Sequence, residues 1–182
     1  MRLPTDMHEV DRTLTQRAAG RIPPVVAKAL SAVEESAESS KLWCGAAAAM
    51  AWRGGWRGRR AAAAGVVAMG VAQLASNGLC KQLAERPRPP TEWIPHDEVA
   101  DRPDSSSFPS GHTAAAVAFT AAVAPTWPAA GALCAVPTAL VAVERVQSGA
   151  HYPSDVAAGA AIGLAGAWLT RHAVALFLRH WP

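Results

Sequence analysis

Charge is what this sequence has least of. Only 17% of its 182 residues are Asp, Glu, Lys or Arg, against about 25% in ordinary soluble domains. Hydrophobic residues make up 51%, and many are alanine, which scores weakly for hydropathy yet suits close helix packing in lipid. Cysteine is scarce too: Cys44, Cys80 and Cys134 stand apart within apolar segments, show no metal-ligand spacing and read as packing residues. No apolar run with a small-residue cleavage site opens the chain, so a removable signal peptide is not expected. Internal repeats and low-complexity linkers are also missing. The net charge of +3 does not point to nucleic acid. Its basic residues gather instead at Arg53, Arg57, Arg59 and Arg60, between two apolar segments, which is a topology signal.

What the chain does have is a series of uncharged runs. Residues 61–80 carry no charge, and a helix of that length covers about 30 Å, the hydrocarbon thickness of a bilayer. Residues 113–143 are also uncharged, but Pro125 and Pro128 flank Trp127, predicting two helices over about 110–125 and 129–147 joined by a tight turn. Residues 156–170 form the last apolar run, while 42–52 are too short to span without the preceding turn or two. In the first 40 residues Val25, Val26, Ala29, Leu30 and Val33 share one side, with Glu34, Glu35 and Glu38 nearby. That pattern predicts amphipathic helices lying at the interface or partly inserted. The expected architecture is all-α: an integral-membrane bundle of five to six helices over 41–182, preceded by interfacial helices over 1–40. Placing the arginine cluster in the cytoplasm sends the helix from 61 outward, so Lys81 emerges outside and Arg171 and Arg179 return to the cytoplasmic side.

Three polar clusters then meet at the outer face: Lys81 through Pro89, Pro109 through His112, and Arg145 through Asp155. One ionisable group at a helix end can simply snorkel; three clusters at one level call for a shared ligand. Lys81, Arg88 and Arg145 are cations, and a helix starting at Ser110, Gly111 and His112 offers backbone N–H groups, a combination that suits phosphate. Gly111 lets the backbone approach closely. Gln73, Asn77 and Lys81 are spaced four apart and run a polar stripe toward this point, serving either ligand contact or interhelical hydrogen bonding. His151 lies four residues before Asp155. With a helix starting at Pro153, the carboxylate can reach back to hold one ring nitrogen and leave the other free to attack, while His112 acts as general acid and later activates water.

The pattern Lys81-x6-Arg88-Pro89, Pro109-Ser110-Gly111-His112 and Arg145-x5-His151-x3-Asp155 resembles the three-part signature of the type 2 phosphatidic acid phosphatase superfamily, whose phosphate site is shared with vanadium haloperoxidases. The resemblance covers about residues 30–172. It implies a metal-independent, cofactor-free phosphatase with a helical-bundle core and a phosphohistidine on His151. By the same resemblance His112 is the acid, and Lys81, Arg88, Ser110, Gly111 and Arg145 cradle the phosphate. It also implies a multi-pass protein of a bacterial cell membrane acting on a lipid-linked phosphate: polyprenyl phosphates, diphosphates or phosphate-sugars first, phosphatidate or phosphatidylglycerol phosphate as alternatives. A non-catalytic phospholipid-binding protein is the competing class, which leaves the carboxylate-oriented imidazole unexplained. Halide oxidation is disfavoured by the membrane spans.

One position departs from the signature. Glu144 stands where the family usually has serine, and a carboxylate there is expected to turn away from the phosphate or to pair with a neighbouring cation. The acidic loop 89–107, with Glu92, Asp97, Glu98, Asp101 and Asp104, is read as either a lid or headgroup selector or a plain connection. Gly159 and Gly163 form a GxxxG pattern expected to serve close packing within the chain.

Overall fold

The computed structural model describes residues 5–21, 23–37, 40–94 and 105–180. Seven helices form there: α1 Thr5–Arg21, α2 Pro24–Ala37, α3 Lys41–Arg53, α4 Gly55–Leu83, α5 Gly111–Val123, α6 Pro128–Gln147 and α7 Pro153–His180. Five of them, α3 to α7, lie within residues 41–182, in line with the expected bundle, and α1 and α2, divided at Pro23 and Pro24, precede them. Most of the loop read as acidic, including Asp97, Glu98, Asp101 and Asp104, lies outside the described residues, as do Glu38 and the side chains of Glu34 and Arg179.

Helices α4, α5 and α7 pack against one another at the centre, α3 flanks α4, and α6 lies along α5. Small residues make this possible. Ala61, Ala68, Ala72, Ala114, Ala116 and Ala118 are wholly buried or nearly so, letting the helix axes approach closely where lipid offers no hydrophobic drive for association. A Cβ on Gly159 would run into the Ser110 carbonyl, and one on Gly163 would lie 2.6 Å from the Ala114 carbonyl oxygen. The GxxxG pair thus seats α7 against the start of α5. Trp43 and Phe119 fill the wider gap between α3 and α5, with ring centroids 5.4 Å apart.

Two helices, Gly55–Leu83 and Pro128–Gln147, are long and apolar enough to cross a membrane, and only 28% and 22% of their most apolar windows are buried inside the protein. The exposed remainder includes Val66, Val67, Leu74, Leu133, Val136 and Val143. A soluble core helix would bury that surface; here it faces outward, as lipid contact requires. The protein is membrane-associated. The α4 span begins six residues before the uncharged run because exposed Arg57, Arg59 and Arg60 sit in its first turns, where long basic side chains can reach water. Exposed Trp52 and Trp56 stand beside them, as aromatic residues do at a membrane boundary.

The N-terminal helices dock on this bundle. Buried Asp11, Thr15 and Ala19 repeat every fourth residue along α1, with Met7, Val10 and Leu14 exposed. Helix α2 packs against α6, burying Leu30 while leaving Val25 and Val26 exposed.

Candidate active site

All three polar clusters lie at one end of the bundle, opposite the arginine-rich end. At that far end Arg57 Nε donates to the Thr126 carbonyl across the α5–α6 turn. At the near end α4 finishes with a π-helical stretch, Leu74–Cys80, in which Lys81 N–H bonds back to the Ser76 carbonyl. The wider turn brings Gln73, Asn77 and Lys81 together on the wall of a cavity of about 320 Å³, which Gly111 and His112 also line along with Ser40, Trp43 and Ala115. The polar stripe therefore ends in a cavity. Gln73 also donates to Ser40 Oγ at 2.9 Å. Gly111 is required here for a second reason, since a Cβ would collide with the Asn77 carboxamide.

The chain leaves α4 through Arg86-Pro87-Arg88-Pro89 and crosses the site. Arg88 donates through Nη1 to the Ala150 carbonyl at 2.6 Å, and its Nη2 lies 3.4 Å from Ser105 Oγ. Lys81 Nζ lies 3.5 Å from the same hydroxyl. Two of the three expected cations thus converge on Ser105, a residue the sequence did not single out.

Helix α5 starts as expected, with Ser110 capping it: Oγ accepts from Thr113 N–H at 3.4 Å and lies 3.0 Å from Thr113 Oγ1. Ser110 differs from expectation in one respect. Its N–H donates to the Asp155 carbonyl at 3.0 Å, so it is occupied in joining α5 to α7, and the first-turn donors of the helix are Gly111 and His112, which have no acceptor within the helix.

Helix α6 ends with Arg145 and Gln147, and Gly149 reverses the chain with a φ of 65°, a conformation that costs a residue with a Cβ. The reversal allows His151 N–H to reach the Arg145 carbonyl at 2.8 Å, tying the third cation to the histidine. Glu144 is buried and its Oε2 lies 2.5 Å from Arg145 Nε. It pairs with a neighbouring cation, one of the two outcomes expected of it.

His151 is 3% exposed, and its Nδ1 lies 2.5 Å from the Ser107 carbonyl oxygen. A carbonyl can only accept, so Nδ1 carries the proton and Nε2 the lone pair. Burial first, then the Arg88 and Arg145 charges, hold the imidazole pKa well below its ordinary value, keeping the ring neutral. The expected grip of Asp155 on this ring is corrected by the geometry: Asp155 Oδ2 is 3.9 Å from Nδ1, an ion-pair distance and not a hydrogen bond. The carboxylate is engaged elsewhere. Oδ2 accepts from Tyr152 N–H at 2.9 Å, and Oδ1 pairs with Arg86 Nη1. Helix α7 does begin at Pro153 as expected.

Sequence reasoning therefore missed Arg86, Ser105, Ser107 and Asp11. The doubled Arg-Pro of residues 86–89 was the signal for the first; a backbone carbonyl leaves none.

A model of the PAP2 superfamily matches residues 61–179. A lipid A 1-phosphatase of Rhizobium johnstonii is 43% identical over 76 residues, 40% of this chain and 29% of that protein. One of Rhizobium etli is 48% identical over 60 residues, 31% and 25% of the two. The matched part thus spans less than a third of either relative. Among solved structures, a transmembrane PAP2-type phosphatidylglycerolphosphate phosphatase from Bacillus subtilis aligns with a TM-score of 0.70 and 22% identity over 93% of this chain and 86% of that one. LpxE of Aquifex aeolicus aligns with a TM-score of 0.71 and 20% identity over 88% and 93%. These two share the fold. With the model covering well over half its length, the chain belongs to the PAP2 superfamily.

Proposed function

We propose that this protein is a metal-independent phosphatase of lipid-linked phosphates that works through a phosphohistidine. The observation that carries the reading is the buried, neutral His151, its Nδ1 proton held by the Ser107 carbonyl, beside the cations Lys81, Arg88 and Arg145. In this reading Nε2 attacks phosphorus and the bond to the leaving oxygen breaks; His112, which burial and then the Arg145, Lys81 and Arg88 charges hold neutral with a pKa lowered to about 4, takes up the proton of the bound phosphate monoanion and passes it to that oxygen. The imidazole becomes positive as the N–P bond forms; the Ser107 carbonyl and the Asp155 carboxylate at 3.9 Å stabilise that charge. His112 then takes a proton from water, whose oxygen attacks phosphorus and breaks the P–N bond, releasing phosphate and restoring both histidines. Lys81, Arg88, Arg145 and the start of α5 hold the phosphoryl oxygens throughout.

The leaving group is assigned to the His112 side, where the cavity is walled by Ser40, Gln73 and Asn77 together with Trp43 and Ala115. Amides and a hydroxyl suit an alcohol with further hydroxyls, such as the sugar of a glycolipid phosphate or the glycerol of phosphatidylglycerol phosphate, better than a bare polyprenyl chain. The names of the relatives lean the same way. The site is read as facing the extracytoplasmic side of a bacterial plasma membrane, because the arginine cluster marks the other end.

The test is phosphate release by the purified protein in detergent with EDTA, over a panel of a glycolipid 1-phosphate, phosphatidylglycerol phosphate, phosphatidate and polyprenyl phosphate and diphosphate. Release in EDTA that disappears in His151→Ala supports the mechanism, and release undiminished in that variant removes its nucleophile. Faster turnover of the polyprenyl substrates than of the hydroxylated ones would overturn the leaving-group assignment alone.

A further inference from the structure

Behind Asp155, on the side away from the phosphate cradle, lies a buried network that the chemistry above does not use. Arg86 is 7% exposed and Asp11, from α1, is 2% exposed. Arg86 Nη1 pairs with Asp155 Oδ1 and donates to Ser154 Oγ at 2.8 Å, while Nη2 pairs with Asp11 Oδ2 at 2.7 Å. Asp11 in turn accepts from Ser154 N–H at 3.0 Å and from Ser154 Oγ at 2.6 Å, capping the first turn of α7 from a helix more than a hundred residues away. The guanidinium also lies 4.1 Å from the centroid of the Tyr152 ring.

Both supports of His151 pass through Arg86. Its side chain holds Asp155, whose other oxygen holds Tyr152 N–H, next in the chain to the imidazole. Its main chain holds Ser107: the Arg86 carbonyl accepts from Ser107 N–H at 3.0 Å and the Arg86 N–H donates to Ser106 Oγ at 3.2 Å. Ser107 is the residue whose carbonyl fixes the Nδ1 proton. A buried cation between two buried carboxylates has a heavy desolvation cost, and a fold that needed only stability could fill this space with apolar side chains. The planar fork of arginine is suited to bridging two carboxylates, which a lysine ammonium cannot do in the same way.

We propose that Arg86 and Asp11 are positioning residues for His151, and that α1 is thereby part of the active site. The inference rests on the phosphatase reading and extends it to a helix outside the matched region. Displacing a nucleophile by about 1 Å can cost on the order of a hundredfold in rate, whereas the phosphate cradle shares no side chain with this network. The two should separate in the kinetics.

The experiment compares the full-length wild type with Asp11→Asn, Arg86→Lys, Arg86→Gln and Ser154→Ala in detergent. It uses whichever lipid phosphate the wild type hydrolyses, with orthovanadate as inhibitor and thermal melting as the measure of folding. The expected result is a fall in kcat of about tenfold to a hundredfold in Asp11→Asn and Arg86→Gln. Arg86→Lys and Ser154→Ala fall in between, and KM and the vanadate inhibition constant stay within about threefold of wild type. If Arg86→Gln does not fold, Asp11→Asn and Ser154→Ala, which change one or two bonds each, carry the test. Folded variants with wild-type kcat would overturn the proposal and leave the phosphatase reading standing, as would a fall in melting temperature with kcat per folded molecule unchanged. A wild type that releases no phosphate from any substrate would sink both.

Discussion

In the proposed phosphate site Glu144 acts on a neighbouring cation, Arg145, and not on phosphate itself. Its carboxylate lies 2.5 Å from Arg145 Nε and both side chains are at least nine-tenths buried, so it neutralises a cation that would otherwise be buried with less compensation. An arriving phosphate must compete with it. Glu144→Ser is therefore expected to bind orthovanadate more tightly than wild type and to keep or raise kcat/KM. It should also lower stability by about 3 kcal/mol, the usual cost of breaking a buried pair; vanadate inhibition and denaturant titration would read the two effects. A complete loss of activity would mean that the glutamate has a chemical role of its own. His151 gives a pH signature at the same scale. Its folded pKa lies well below the unfolded value, which is about 6.5. Above about pH 6.5 the ring is neutral in both states and contributes no pH dependence. As the pH falls through that value, the unfolded chain takes up a proton that the folded one refuses, and stability is lost. Wild type should thus lose more melting temperature between about pH 8 and about pH 5 than His151→Gln does, and equal losses would show that the ring is not held neutral.

Helix ends, more than helix bodies, build this site, and the join between α5 and α7 is the closest of them. Gly159→Ala would drive a methyl into the Ser110 carbonyl, whereas Gly70→Ala meets nothing within 4 Å. Alanine favours a helix over glycine by up to about 1 kcal/mol, but overpacking against backbone costs about 1–3 kcal/mol, so packing should win at 159 and propensity at 70. Melting curves are expected to show Gly159→Ala destabilised and less active, with Gly70→Ala at or above wild type; the reverse order would contradict the close seating of α7. The same helix ends explain what the sequence made legible. Lys81, Arg88, Ser110, His112, Arg145 and His151 were readable because helix starts and stops are marked by Pro, Gly and Ser at fixed spacing, and the uncharged runs located α4 and α6 between them. Asp11–Arg86 and Arg86–Asp155 join positions 75 and 69 residues apart, and no local pattern encodes such a pairing. The same is true of the Ser107 carbonyl, which displaced Asp155 as the hydrogen-bond partner of His151. The amphipathic pattern from Val25 to Glu38 predicts a helix at the interface or partly inserted; the buried stripe of Asp11, Thr15 and Ala19 lies on α1, outside that pattern, and is recognised only where α1 meets α7.

At the scale of the whole molecule, the bundle places its charge at two ends and apolar side chains between them. Arg53, Arg57, Arg59 and Arg60, all exposed, mark one end; Lys81, Arg88, His112, Arg145 and His151 gather at the other. A helix of 29 residues such as α4 reaches about 43 Å, enough to cross the hydrocarbon and carry both ends to the headgroup level. In the proposed function, a phosphate tethered to a lipid would then meet these cations without leaving the membrane surface. The most direct measurement is an alkali-quenched reaction with a lipid phosphate radiolabelled at phosphorus, followed by mapping of any label on the protein. Label that is stable to alkali, labile to acid and resides on His151 is the predicted result; turnover with no label on His151 at any time point would contradict nucleophilic catalysis by this residue.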